Sequence, residues 1–239
     1  MPLVLAGDDI AGQILIALGE SNLRLEKNDV LVVAQKIVSK AEGRLVYLDQ
    51  VSPSAEAQRR ASETDKDPRL VELILRESVS VVRQERNLII TENKLGIVMA
   101  NAGIDQSNVE SGCALLLPED PDQSAMNLRA ALKCALDIDV GIVIADSIGR
   151  AWRRGIIGHA IGVAGVEAVI DMRETYDLYG RELRVTEIAI ADEIAAAGTL
   201  LMGQAQEGIP VVIVRGFSAF DEATSAKELI RPKDQDLFR

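Results

Sequence analysis

The chain has 239 residues, 48% of them apolar and 26% charged, with a formal net charge of -11 at pH 7. This composition suffices for a buried core, and its acidic balance excludes nucleic-acid or anionic-membrane binding through overall charge. Two cysteines outside any C-x-x-C spacing and a single histidine give no zinc-ligand set. Without a signal peptide or a long apolar run, the predicted location is cytoplasmic, with no membrane or nucleic-acid partner.

The amino-terminal part predicts a short apolar segment, an amphipathic helix and a buried strand. Residues 2–4 are apolar, and a helix follows Gly7 with the apolar positions Ile10, Ile14, Leu15 and Leu18. The strand over residues 30–34 is followed directly by Gln35 and Lys36. A helical turn over residues 37–42 would place Lys36 and Lys40 on one face, where they repel unless an anion lies between them. The alternative is two solvated lysines on a loop.

The central part predicts scaffold elements. Residues 54–62 and 67–78 read as helices, the second with an Asp-Pro start signal. Residues 79–83, 88–91 and 95–99 are β-rich runs typical of an antiparallel meander. They lead to the loop NAGIDQSN, residues 101–108, in which Asp105, Ser107 and Asn108 present oxygen-bearing side chains together. The loop suits hard-cation binding, and it equally suits an Asx-rich turn.

The stretch DVGIVIADSIGRAWRRG, residues 139–155, changes from apolar to polar within a few positions. It follows a helix that we expect to begin at Ser124 and run to residue 136. Residues 140–145 predict a strand buried on both faces, with Asp146 and Ser147 at its end and Gly149 turning the backbone. Arg150, Arg153 and Arg154 follow, and hard oxygens beside guanidinium groups suit a magnesium-bound phosphate. The alternative is a capped turn with solvated arginines.

Beyond this stretch, Gly158, Gly162 and Gly165 indicate close backbone packing, and His159 among them reads as a satisfied interior or rim histidine. Residues 186–202 predict a buried helix of small and branched side chains, suited to packing against another subunit. A polar loop over residues 203–208 then leads to a strand over residues 210–214. Residues 217–239 lose their periodicity and read as a partly ordered polar tail.

Seven segments resemble, in family order, those of the coenzyme F420-0:L-glutamate ligase family, in its stand-alone form. They are VVAQKIVSKAEGR (32–44), NAGIDQSN (101–108), LLPEDPD (116–122), DSIGRAWRRG (146–155), DLYGREL (177–183), ADEIAAA (191–197) and LLMGQAQEGIP (200–210). The resemblance extends from the first residues to about Gly216, which implies one ligase-like unit over residues 1–216. It implies an α+β fold with short, largely antiparallel and mixed sheets, two intertwined lobes, and a homodimer.

The resemblance also implies the ligands. Two divalent ions, Mg²⁺ or Mn²⁺, would be bound by Asp105, Asp146, Ser147 and Gln204, with K⁺ as a further candidate cation. GTP would be held by Pro2, Leu3, Val4, Gln35, Lys36, Lys40, Asn108, Met202, Gly203, Gln204, Ala205, Gln206, Glu207, Gly208 and Ile209. The other implied substrates are F420-0 and L-glutamate.

The resemblance implies a ligase that uses GTP to add L-glutamate to F420-0, and amide synthesis of this kind is expected to pass through an acyl phosphate. Lys36 and Lys40 would hold the phosphates, and Arg150, Arg153 or Arg154 would stabilise charge on F420-0 or glutamate. No residue stands out as a general base. The same residue types also suit a metal-dependent nucleotide hydrolase or phosphotransferase, and a non-enzymatic GTP-binding assembly protein remains a further alternative.

Overall fold

The computed structural model describes residues 1–217 and 224–237. The α-helices in this part of the chain are α1 (Ile10–Glu20), α2 (Gln35–Ala41), α3 (Ala55–Thr64), α4 (Pro68–Arg76), α5 (Pro121–Leu136) and α6 (Ile190–Met202). The strands are β1 (Val30–Ala34), β2 (Leu45–Tyr47), β3 (Ser78–Glu85), β4 (Leu88–Asn93), β5 (Val98–Ala100), β6 (Cys113–Leu115), β7 (Gly141–Gly149), β8 (Ile156–Ala164), β9 (Ile170–Asp171), β10 (Glu187–Ile188) and β11 (Val211–Val214). This mixture of helices and short, mostly antiparallel sheets confirms the predicted α+β class.

The largest sheet has the strand order β11-β1-β7-β8. The central strands β1 and β7 are parallel, and each outer strand pairs antiparallel with its neighbour. Both central strands are continuous runs of β-branched and apolar residues because helices cover the two faces of the sheet. Leu31, Ile142 and Ile144 face α1 and α5, whereas Val32 and Val143 face α6. The predicted strands in this sheet are confirmed.

One strand differs from its prediction. The sequence places the end of the β7 strand at residue 145, but β7 continues through Asp146 and Ser147 to Gly149. It continues because the antiparallel partner β8 pairs with it as far as Gly149 and Ile156, which satisfies the backbone groups of the polar residues. The two strands form a long hairpin whose tip is residues 150–155.

A second core lies under α3, α4 and the three-stranded meander β3-β4-β5. Val71 and Ile74 of α4 pack there with Ile89 of β4. Asp67 is the predicted cap of α4 and accepts a hydrogen bond from the Arg69 N–H. Ser54 caps α3 in the same way and accepts a hydrogen bond from the Ala57 N–H. The predicted helices and antiparallel meander are therefore confirmed, although α4 ends two residues earlier than expected, at Arg76.

Two predicted helix starts are wrong. Helix α5 begins at Pro121 rather than near Ser124, because proline is preorganised for the first helical position and the Asp120 side chain accepts a hydrogen bond from the Gln123 N–H. Helix α6 begins at Ile190 rather than near Thr186, because the intervening backbone is paired as β10 with β9.

The small residues of α6 pack within the chain. A Cβ added at Gly198 would meet the Val32 side chain, and one added at Gly158 would meet the Ala195 carbonyl and Thr199. Close approach between the helix and the sheet therefore requires glycine at both positions. This confirms the predicted close packing of the glycines, and it shows that the buried stripe of α6 contacts its own sheet instead of another subunit.

Gly162 permits equally close packing between β8 and α5, which gives a test of this interpretation. A Cβ at Gly162 would overlap the backbone carbonyl of Pro121, so Gly162→Ala is expected to destabilise the fold by roughly 1–3 kcal/mol. The matched control is Gly19→Ala in α1, where a Cβ meets open space and the change should stabilise by at most about 1 kcal/mol. Urea unfolding of both variants measures the difference, and equal stabilities would contradict the packing argument.

The described part of the carboxy-terminal segment packs on the body. Ala226 is buried, Ser225 Oγ lies 2.6 Å from an Asp122 carboxylate oxygen, and Lys233 pairs with Glu92 at 2.9 Å. Residues 218–223 and 238–239 of the predicted tail lie outside the described residues. Within the described residues, no helix combines the length and apolar character needed to cross a membrane.

Candidate active site

The candidate site lies at one edge of the large sheet, and the topology explains why. Ala34 and Ala145 are partners at the carboxyl ends of the parallel strands β1 and β7, so the residues that follow them meet at the same edge. Strand β11 runs antiparallel to β1 and begins at this edge, where the Ala34 N–H donates to the Pro210 carbonyl at 2.8 Å. The loop that precedes β11 therefore arrives at the same place.

Asp146 is the acidic group at the centre of this edge. Burial raises its pKa to about 6, and the nearby Asp105 carboxylate acts in the same direction. The Ser147 N–H, the charge of Lys36 and a hydrogen bond with Gln35 act against this rise. The structure thus brings the two acidic residues, distant in sequence, within electrostatic reach of each other.

Asp105 is held by its backbone and by Lys36. Its N–H and carbonyl form a bridge with Leu115, which fixes the loop beside α2. The carboxylate contacts Lys36 Nζ at 2.7 Å and accepts a hydrogen bond of 2.6 Å from the Ser107 N–H. Burial alone would raise the pKa of Asp105, but the interactions with Lys36 and Ser107 bring it below its ordinary value. Lys36 therefore places a positive charge in contact with Asp105 and within electrostatic reach of Asp146.

Lys40 lies one helical turn beyond Lys36, as predicted, and donates to the Asn108 carbonyl at 2.7 Å. Burial lowers the pKa of Lys40, and the charge of Lys36 lowers it further. A phosphate placed between the two ammonium groups would relieve this repulsion. The pair is therefore suited to an anionic ligand.

The loop over residues 203–209 closes the site from the other side. Gln204 Oε1 accepts a hydrogen bond from Ser147 Oγ at 2.9 Å, and the Ala205 carbonyl accepts one from Asn108 Nδ2 at 3.3 Å. Met202 is buried, whereas the positions that follow Gly203 are largely exposed: Gln204, Ala205, Gln206, Glu207, Gly208 and Ile209. The loop thus joins both predicted metal-binding segments and presents its backbone to solvent.

The three arginines that the sequence predicts to bind a substrate anion lie farther out, at the tip of the β7-β8 hairpin. Arg153 and Arg154 are exposed, and neither makes an ion pair within the described part of the chain. Arg150 is partly buried, and its Nε is buried without a hydrogen-bond partner among the residues that the structure describes. All three remain available to an anionic substrate that extends along the hairpin.

The amino-terminal segment lies beside α2 and farther from the site carboxylates than Gln35. Pro2 and Leu3 are exposed, Val4 packs in the core with Val38 of α2, and none of them lies in a strand. The Gly7 N–H donates to the Ala41 carbonyl at 2.8 Å, which places this segment at the far end of α2 from Gln35. No hydrogen bond of the described residues joins positions 2–4 to the carboxylates.

The donor set suits a hard divalent ion. Within the described residues no group of three or more histidine, cysteine or acidic side chains forms a metal site. The candidate donors are two carboxylates, one hydroxyl and one amide oxygen, which Mg²⁺ and Mn²⁺ prefer and Zn²⁺ does not. A cation here would also compensate the ionised form of Asp146, whose burial is otherwise unfavourable. The residues therefore fit the implied ions.

The structure adds contacts that sequence reasoning did not specify for Ser107, for the predicted nucleotide-binding residue Gln35 and for His159. Ser107 Oγ accepts a hydrogen bond from Lys36 at 2.6 Å and donates one to Asp105 at 3.1 Å, and its place in an Asx-rich loop was the available signal. Gln35 is buried, interacts with Asp146 and accepts a hydrogen bond from Ser39. His159 is the strand partner of Asp146, and its Nδ1 lies 3.0 Å from the Ile157 carbonyl, in agreement with a satisfied rim histidine.

Comparison with known proteins identifies the family. The F420-0:Gamma-glutamyl ligase family matches residues 1–216. A coenzyme F420:L-glutamate ligase of Methanothermobacter thermautotrophicus is 47% identical, over 100% of this chain and 96% of its own length. The proteins of the same name from Methanopyrus kandleri and Methanocaldococcus jannaschii are 48% and 43% identical, over 98% and 100% of this chain and 92% and 94% of their own lengths. The chain belongs to the F420-0:gamma-glutamyl ligase family.

Proposed function

We propose that this protein joins L-glutamate to F420-0 and couples the reaction to cleavage of GTP. The observation that carries the proposal is the convergence of Asp105, Asp146 and Lys36 with the loop over residues 203–209 at one sheet edge, in a chain of this family. The relatives named above are coenzyme F420:L-glutamate ligases, which supports the choice of acceptor and amino acid.

Amide formation requires the carboxylate of F420-0 to acquire a leaving group. Its oxygen attacks the γ-phosphorus of GTP, the bond to the β-phosphate oxygen breaks, and GDP leaves. The glutamate amine then attacks the acyl phosphate carbonyl and inorganic phosphate departs. The amine proton passes to solvent or to the released phosphate, since none of the described side chains at the site stands out as a general base. Catalysis of such steps depends chiefly on positioning and charge neutralisation.

In this proposal the residues bind metal, nucleotide or substrate according to their positions in the site. Asp105, Asp146, Ser147 and Gln204 would hold Mg²⁺ or Mn²⁺, and K⁺ is a further candidate; the divalent ions supply charge neutralisation on the nucleotide oxygens. Lys36 and Lys40 bind phosphate oxygens from α2, and Gln35, Asn108 and the loop over residues 203–209 hold the rest of the nucleotide. Arg150, Arg153 and Arg154 neutralise the anionic groups of F420-0 or glutamate.

One assay tests the proposal against its alternatives. The full-length protein is incubated with F420-0, GTP, Mn²⁺ and isotope-labelled L-glutamate, and the products are identified by mass. The expected result is one labelled glutamate adduct for each GDP and phosphate formed. GDP without an adduct would indicate a hydrolase, and a stable phosphorylated product a phosphotransferase. GTP binding without turnover would indicate an assembly protein. Each of these three outcomes overturns the proposal.

We also propose a homodimer, with a contact surface on the arm over residues 172–186. The arm folds on itself through backbone hydrogen bonds between Met172 and Thr186 and between Leu183 and Thr175. Its outer side carries large side chains with high exposed fractions: Tyr176 (70%), Leu178 (102%), Tyr179 (84%) and Val185 (86%). A projecting apolar surface of this kind is typical of a protein interface, and an identical copy is its simplest partner.

Leu178→Glu is therefore expected to convert the dimer to monomers, because it places a charge in the apolar contact. Light scattering after size-exclusion chromatography measures the mass. The control is Leu200→Glu on α6, which is 81% exposed but lies outside the arm and should leave the dimer intact. A monomeric wild type, or dissociation by the control alone, would remove the arm as the interface.

A further inference from the structure

We propose that Trp152 binds the planar deazaflavin ring of F420-0 by stacking, at the tip of the β7-β8 hairpin. The inference rests on the proposed function and adds a ring-binding residue to it. Trp152 is the single tryptophan of the chain, its side chain is 81% exposed, and it follows the strand that carries Asp146.

The backbone conformation of Trp152 is unfavourable for its side chain. Trp152 has a φ of 57°, in the left-handed region, which is unfavourable for a bulky side chain and free of cost for glycine. Exposure of a large indole to water is a second unfavourable term. A strained and exposed aromatic residue beside a charged site is typical of a ligand contact.

The hairpin extends from Asp146 toward Trp152. From Asp146 to Gly149 the strand advances three residues, about 10 Å, and Trp152 lies in the turn beyond. In F420-0 the ring is separated from the reacting carboxylate by a ribityl chain and a phosphodiester. A molecule with its carboxylate near Asp146 would therefore reach the hairpin tip with its ring.

The charges along the hairpin agree with this direction. The phosphodiester would pass Arg150, whose buried Nε has no hydrogen-bond partner in the described part of the chain, with Arg153 and Arg154 exposed on the same turn. An aromatic face among guanidinium groups suits a flat ring attached to an anionic chain. The guanine of GTP is the competing flat ring, but the proposed phosphate contacts of the nucleotide lie on α2 and on the loop over residues 203–209, which contacts the hairpin at Ser147 of β7, before the turn that carries Trp152.

Three variants at one position provide the kinetic test. Trp152→Gly relieves the positive φ and should not lower the melting temperature, yet it should raise KM for F420-0 about tenfold. Trp152→Phe keeps an aromatic face and should retain most of the affinity, whereas Trp152→Leu keeps only apolar bulk and should resemble the glycine variant. KM for GTP and for glutamate should remain unchanged. Unchanged KM for F420-0 in Trp152→Gly, or a rise only in KM for GTP, overturns the proposal.

A binding measurement separates this inference from the proposed function. When the excitation wavelength is one that tyrosine does not absorb, the emission of the wild-type protein reports Trp152 alone, and 8-hydroxy-5-deazariboflavin contains the ring without the phosphodiester. This compound should quench the emission statically, without shortening the lifetime of the remaining emission, and GTP should not. Quenching in a protein without ligase turnover would support the ring contact and reject the proposed function. Turnover without static quenching would reject the ring contact only.

Discussion

Asp146→Asn is expected to abolish glutamate incorporation while leaving the metal-free protein at least as stable as the wild type. Activity should fall by a factor of 10³ or more, on the order of 4 kcal/mol in transition-state stabilisation, because an amide is a poor ligand for a hard divalent ion and the substituted site keeps only one carboxylate. The side chain keeps its size, so the strand pairing of β7 with β8 is unaffected.

The stability expectation follows from the sign of the pKa shift. Burial, followed by the nearby Asp105 charge, raises the pKa of Asp146 to about 6, above the ordinary value of 3.8. The native state therefore binds the proton more tightly than the unfolded state, and metal-free stability falls as pH rises from about 4 to 6. Above pH 6 the ionised carboxylate costs on the order of 1–3 kcal/mol, which the asparagine removes.

Thermal unfolding with and without Mn²⁺ makes this measurable. At pH 8 the metal-free variant should melt at or above the wild-type temperature, and Mn²⁺ should stabilise the wild type alone. Asp105→Asn should likewise lose activity, and Asp234→Asn, an exposed aspartate in the carboxy-terminal segment, serves as the control with normal activity. Wild-type turnover in Asp146→Asn would remove this residue from the mechanism.

Asp29→Ala is expected to cost roughly 2–4 kcal/mol of folding stability. The Asp29 side chain is 1% exposed and accepts hydrogen bonds from Arg215 Nε at 2.7 Å and Nη2 at 2.8 Å and from the Glu26 N–H at 2.7 Å. It joins the start of β1 to the end of β11, and its removal leaves the partners unsatisfied. Since Arg215 remains 47% exposed, the loss should fall below that of a fully buried pair.

The same contact gives a pH dependence of opposite sign to that of Asp146. Burial alone would raise the pKa of Asp29, but the hydrogen bonds from Arg215 and Glu26 lower it below 3.8. The stabilisation is therefore present above the unfolded-state value and is lost as pH falls through the lower folded-state pKa. Urea unfolding between pH 3 and 7 should show a larger loss of stability on acidification in the wild type than in Asp29→Ala.

The control for the Asp29–Arg215 contact is a solvent-exposed ion pair. Arg86 and Asp65 lie 2.8 Å apart with side chains 79% and 62% exposed, and Arg86→Ala should cost at most about 0.5 kcal/mol. A double-mutant cycle of Asp29→Ala and Arg215→Ala isolates the coupling. If Asp29→Ala were as mild as Arg86→Ala, the contact would not hold the two strands together.

Local sequence patterns were sufficient to predict the helices and strands whose signals lie within a few residues. The cap-and-proline start of α4, the apolar run of β1 and the meander β3-β4-β5 occur as predicted. Helix α5 shows the limit of this reasoning: two start signals, at Asp120 and at Ser124, compete within four residues, and the one that includes proline is used. The choice between two neighbouring helix starts depends on small differences in local free energy.

Pairing between segments that are distant in sequence determined the element boundaries and contacts that local patterns did not predict. Asp146 lies within a strand rather than at its end because β8 pairs with it, and α6 starts late because β9 takes up the preceding residues. The small-residue face of α6 is equally suited to an internal sheet and to a second subunit, and only its contact with Val32 distinguishes them. A helix period cannot specify the identity of the surface that covers it.

By itself the sequence determined the family resemblance, the α+β class and the residue types for binding cations and phosphate. The tertiary structure decided which of those residues meet. The parallel register of β1 with β7 places Gln35 and Lys36 beside Asp146, and the Asp105–Leu115 bridge brings the second carboxylate to the same edge. The reason is physical: residue types and short-range periodicity are local properties, whereas the proximity of two charges 41 positions apart, 105 and 146, depends on strand pairing and burial.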